Sequence, residues 1–84
     1  MKAALKLYAS LSDYLPTESR KTNRIDLDLA PGTTVQDLIE RYRLPPKMCH
    51  LLLIDGVFVP PEARSSRALG EGEVLAIWPP IAGG

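Results

Sequence analysis

The sequence predicts an α+β domain in which one helix packs across a single mixed sheet of five strands. Three observations predict it. Short apolar stretches alternate with polar residues as half-buried strands do, one segment alone carries a helical repeat, and turn dipeptides stand between them. At 84 residues the chain has room for one core.

Residues 3–9, AALKLYA, send Leu5 and Leu7 to one side and Lys6 and Tyr8 to the other, which is a strand with one buried face. Residues 10–23 carry Ser, Thr, Pro and Asn and read as a connection, with one helical turn near Leu11–Leu15. RIDLDL at 24–29 alternates again, with Ile25, Leu27 and Leu29 inward and Asp26 and Asp28 outward. Pro31-Gly32 marks a turn. Thr34 is then a good N-cap, and Asp37 three residues on completes an approximate capping box. Val35, Leu38, Ile39 and Tyr42 fall on one helical stripe of two to three turns, which Leu44-Pro45-Pro46 ends.

LLLIDGVFV at 51–59 places Asp55-Gly56 between apolar runs, a hairpin signal. Residues 60–70, PPEARSSRALG, form a long connection, and Glu71-Gly72 is a further turn. EVLAIW at 73–78 is apolar on both faces and belongs at the centre of the sheet. The order β, β, α, β, β, β, with an N-terminal hairpin, a crossing helix and a last strand beside the first, is a β-grasp or ubiquitin-like layout. Such a two-layer fold leaves one sheet face without a helix.

Lys+Arg is 10 and Asp+Glu is 10, so the chain lacks the basic footprint of a nucleic-acid binder. No apolar run approaches the roughly 20 residues of a membrane span. The N-terminal MKAALKLYASLSDYL is interrupted by Lys6, Tyr8, Ser10 and Ser12 and has no continuous signal-peptide core. A cytoplasmic protein is expected, and the single cysteine fits that compartment.

Strand parity populates the open face. With Leu5 and Leu7 under the helix, Tyr8 faces out. With Ile54, Val57 and Val59 inward, Phe58 faces out. Leu75 and Ile77 fill the core, so Trp78 faces out. Three of the five aromatic residues then lie on the uncovered face, where a contiguous apolar patch marks a partner surface.

The domain is expected to end at residue 78, with 79–84 as an extended tail. Pro79-Pro80 holds a polyproline-like run, and Ile81 and Ala82 lead to Gly83-Gly84. Such a tail reaches about 20 Å. Gly-Gly lacks Cβ atoms, so it threads a narrow channel and leaves its carboxylate open. A carboxylate becomes an electrophile only when its oxygen is made a leaving group, for example in an acyl-adenylate. These features suit a carboxylate activated by another enzyme. A frayed end without chemistry is the alternative reading.

GEGEVLAIWPPIAGG at 70–84 resembles the C-terminal signature of the MoaD/ThiS family of sulfur carriers. KLYASLSDYL, PGTTVQDLIERY and LLLIDGVFV are similar to that family's first strand, helix and middle hairpin. The resemblance implies a carrier, not an enzyme. An E1-like enzyme would use ATP to adenylate Gly84, and sulfur from a persulfide would convert it to a thiocarboxylate. The Pro-Pro ending is most similar to the small subunit of molybdopterin synthase, whose tail enters the large subunit. There Tyr8, Phe58, Trp78, Pro79, Pro80 and Ile81 would meet the partner. LPPKMCHLLLIDGVFVPPEAR is more like the generic carriers, and Asp55 stands where Asn is common, so a carrier for thiamine or tRNA thiolation, or a modifier joined to lysines, stays open. A β-grasp interaction module without tail chemistry is the other class.

Other candidates carry less. Cys49-His50 has no second His or Cys to complete a zinc set or a separate base for a nucleophile. Asp13, Asp26 and Asp28 are too far apart on alternating positions for a metal cage. No Gly-rich phosphate loop is present, so no cofactor is expected to bind and the ATP belongs to the activating partner. Arg20, Lys21, Arg24, Arg64 and Arg67 read as cations of solvated loops, or as a docking site for an acidic patch on that partner.

Overall fold

The computed structural model describes residues 1–80. The first strand, β1, spans Lys2–Leu7 and pairs antiparallel with β2 at Arg24–Asp28. The helix α1 covers Val35–Arg41. Strands β3 (Leu51–Ile54) and β4 (Val57–Phe58) form the second hairpin, and β5 runs Val74–Trp78. Short 3₁₀ turns fill the connections at Ala9–Tyr14, Thr17–Ser19, Pro46–Met48 and Pro61–Ala63. The strand order is β2-β1-β5-β3-β4, with β5 parallel to β1 and antiparallel to β3. The expected five-stranded β-grasp is present, and its last strand is central.

Local chemistry explains the boundaries. β1 stops before the expected residue 9 because Ala9 takes a positive φ of 52° and turns the chain into the 3₁₀ segment. Asp55 (φ 48°) and Gly56 (φ 83°) both adopt the left-handed conformation that a two-residue hairpin demands. The Asp55 side chain also accepts a hydrogen bond from Val74 N–H at 2.9 Å, joining the hairpin to the start of β5. An Asn oxygen serves that contact equally well.

At α1 both halves of the capping box form: Asp37 N–H donates to Thr34 Oγ1 at 3.1 Å, and Thr34 N–H donates to Asp37 Oδ2 at 2.9 Å. The next two orphan donors reach the connection before β5. Val35 N–H donates to Arg67 O at 2.9 Å and Gln36 N–H to Arg64 O at 3.0 Å.

Leu5, Leu7, Leu52, Ile54, Leu75 and Ile77 point from the sheet toward the buried stripe of Val35, Leu38 and Ile39. Leu11, Leu15, Leu44 and Leu69 close the ends of this core. Each fully buried leucine contributes roughly 2 kcal/mol of transfer free energy. Ile25 and Leu27 lie on the same side but are only partly covered, because β2 is an edge strand.

Two expectations need correction. Val57 shares the core side with its partner Ile54, yet it is 68% exposed, because β4 lies at the sheet edge beyond the helix. Of the loop cations, Arg20, Lys21 and Arg24 are exposed as expected, whereas Arg67 is half-buried and Arg64 buried. Arg20 donates to Leu15 O and Asp13 O, Arg24 pairs with Asp26 at 3.0 Å, Arg67 pairs with Glu73 at 2.8 Å, and Arg64 is only 6% exposed. Connections of this length carry backbone acceptors that need donors, and the arginines supply them.

Candidate functional site

The parallel register of β1 and β5 sets Leu7 beside Ile77, which brings the next residues, Tyr8 and Trp78, together on the open face. Their rings lie 4.5 Å apart between centroids and 3° from parallel. Each ring covers part of the other, so both are half-buried although no helix lies over them. Leu51 is directly across from Trp78 on β3. One rung along, Ala76, Leu53 and Phe58 cross β5, β3 and β4 in line. Leu51 is 39% exposed and Phe58 is 52% exposed.

Tyr8, Trp78 and Phe58 therefore do share one face, as parity requires. Phe58 is two strands from Trp78, and Leu51 and Leu53 bridge the gap. Those two leucines were missed in the sequence. The signal was available: once Leu52 and Ile54 are assigned inward, the alternate residues of LLLI must face out.

Lys6 continues the Ala76 rung onto β1, and Arg24 extends it to β2. The apolar patch thus has a basic border on one side.

The patch stands at the root of the C-terminal segment. His50 N–H donates to Trp78 O at 3.1 Å, closing the β3–β5 ladder. Pro79 and Pro80 have no N–H to extend it, so the chain leaves the sheet there. Pro79 is half-buried and Pro80 exposed. Ile81, Gly83 and Gly84 lie outside the described residues, as does the course of the tail.

The turn before β5 is tied down by charge. Arg67 Nη1 and Nη2 meet the two Glu73 oxygens at 3.2 and 2.8 Å, and Gly70 N–H donates to the same carboxylate. Arg67 first, and then Gly70 N–H, hold the Glu73 carboxyl below its ordinary range. Glu71 accepts from Lys2 N–H at 2.8 Å, and Gly72 N–H donates to Lys2 O at 2.7 Å. The Gly-Glu-Gly turn so anchors β5 beside β1 and fixes where Trp78 emerges.

The sequence profile of the ThiS family matches residues 14–84. The chain belongs to the ThiS family. No curated protein matches it. Among solved structures, SAMP1 from Haloferax volcanii aligns with a TM-score of 0.68 at 22% identity, over 100% of both chains. The HVO 2177 protein of the same organism aligns with a TM-score of 0.73 at 21% identity, over 100% of this chain and 87% of that one. A putative molybdopterin converting factor subunit 1 from Pyrococcus furiosus aligns with a TM-score of 0.67 at 18% identity, over 95% and 98%. These likenesses establish the ubiquitin-like β-grasp fold.

As a ThiS-family protein the chain is a small carrier and not an enzyme. The family implies an E1-like activating enzyme and a sulfur-accepting enzyme as partners. The remaining candidate residues have structural roles. Cys49 is buried with its thiol 3.6 Å from Pro45 O, and burial raises its pKa against the opposing pull of Arg64. Asp26 and Asp28 are paired with Arg24 and Lys2. Among the described residues no group of three potential ligands could hold a metal, and no helix is long and apolar enough to cross a membrane.

Proposed function

We propose that the protein carries sulfur on its Gly84 carboxyl group and delivers it in molybdopterin biosynthesis as the donor subunit of a synthase. The family match running through Pro79-Pro80 to Gly83-Gly84 is the observation that carries this reading. The chemistry has two stages. The Gly84 carboxylate attacks the α-phosphorus of ATP in the activating enzyme, and pyrophosphate leaves. A persulfide sulfur then displaces AMP from the acyl carbon. Thiol cleavage of the resulting acyl disulfide leaves the thiocarboxylate on Gly84 and a disulfide on the sulfur source.

In this reading residues 1–78 form the handle and 79–84 the arm. The Tyr8–Trp78 stack with Leu51, Leu53 and Phe58 is the surface against which a partner seats. Pro79, Pro80 and Ile81 then line the entrance to its channel, and Gly83 passes the narrowest point because it lacks a Cβ. The likeness to a putative molybdopterin converting factor subunit supports the molybdopterin acceptor. The generic character of residues 44–64 favours a second acceptor, in thiamine or tRNA thiolation or on lysines. Retention of a molybdopterin synthase large subunit in a pull-down distinguishes the two.

Deleting Gly84 tests the proposal. The shortened chain should fold normally but support no ATP–pyrophosphate exchange by the activating enzyme. Sulfur transfer that survives the deletion would refute the mechanism.

A further inference from the structure

Arg64 occupies the C-cap of the Pro61–Ala63 turn, on the helix side of the sheet. Its Nη1 donates to Cys49 O at 2.7 Å and its Nε to Val59 O at 3.4 Å. Nη2 is buried and has no partner. Among the described residues no carboxylate lies within ion-pair distance of it, whereas Arg24 and Arg67 each have one. A guanidinium does not lose its proton in proteins, so the charge stays. A buried charge facing only carbonyls lacks the counter-charge that normally offsets its desolvation.

A half-open cavity of about 270 Å³ lies against this side chain, lined by Gln36, Ile39, Pro46, Cys49, Pro61 and Arg64. Its lining holds one charge, and that charge is positive. The Cys49 thiol is kept neutral by burial and adds no competing anion. We propose that this cavity binds a small oxyanion, a carboxylate or phosphate group, with Arg64 as its anchor. The Gln36 amide, which now donates to Glu40 at 3.1 Å, turns from that surface contact to admit the anion and supplies a second donor. The cavity shares no residue with the open face, so occupancy there is independent of the partner surface and of the Gly84 chemistry.

The test is an ¹⁵N NMR titration of the full chain with sodium phosphate and with sodium acetate, each against sodium chloride at equal ionic strength. The amides of Gln36, Cys49 and Arg64 should shift saturably with an oxyanion, while Leu51 and Leu53 stay still. Saturation by acetate alone assigns a carboxylate ligand, and by phosphate alone a phosphate. Gln36→Glu sets a carboxylate at the mouth without touching the bonds of Arg64, and should weaken binding at least about tenfold. Arg64→Met should abolish it, and if that variant does not fold, Gln36→Glu decides. Shifts that never saturate, that chloride reproduces, or that persist undiminished in Gln36→Glu would overturn the site.

Discussion

The two faces of the sheet are made by the same strands and have opposite fates. Under the helix, Leu5, Leu7, Leu52, Leu75 and Ile77 are fully buried. On the open side, their immediate neighbours Tyr8, Leu51, Leu53 and Trp78 remain partly in water. One residue of displacement along a strand thus separates a side chain that stabilises the fold from one available to a partner. The Tyr8–Trp78 stack reduces the apolar area left wet while no partner is bound, without closing the face.

The comparison breaks first at Leu75 and Trp78, three residues apart on β5. Leu75→Ala should lower stability by about 3 kcal/mol, read as a fall in the urea midpoint. Trp78→Asp should lower it by only about 1 kcal/mol, the worth of the lost stack. The same substitution should weaken binding to the activating enzyme or the large subunit by more than about 2 kcal/mol, measured by calorimetry. Equal effects of the two changes on stability, or unchanged partner affinity, would erase the distinction between the faces.

A smaller effect sharpens the covered side. Thr34→Ala removes one arm of the capping box and should cost about 1 kcal/mol, leaving partner affinity unchanged. Smaller still is the acid dependence of the β5 anchor. Glu73 has its carboxyl held below the ordinary value of 4.5, first by Arg67 and then by Gly70 N–H. Its contribution is complete above that ordinary value and fades as pH falls through the lower folded-state value. Glu73→Gln should therefore be less stable than the parent at neutral pH, with the gap closing as pH falls below the ordinary carboxylate range and through the lowered folded-state value. A gap that does not change with pH would mean that the ion pair contributes nothing.

Much of this was legible beforehand because it is local. Thr34 with Asp37, Asp55-Gly56 and the alternation of β1 and β5 each specify their geometry within a few residues. Tyr8, Phe58 and Trp78 followed from parity alone. Residues 60–70 did not yield, since their structure comes from distant partners. The carbonyls of Arg64 and Arg67 serve the first turn of α1, and the Arg64 side chain reaches Cys49 across the fold. In the sequence, Arg-Ser-Ser-Arg is indistinguishable from a wet loop. Val57 misled for a related reason: parity reports which side a residue faces, and not whether the helix extends far enough to cover it.

The carboxyl group of Gly84 is the proposed working part of the chain, and intact-protein mass spectrometry reads that group directly. After incubation with the activating enzyme, ATP and a persulfide source, the chain should gain the mass of one oxygen-to-sulfur exchange, localised to Gly84. A chain that keeps its original mass under conditions where the same enzyme charges another carrier would contradict that role.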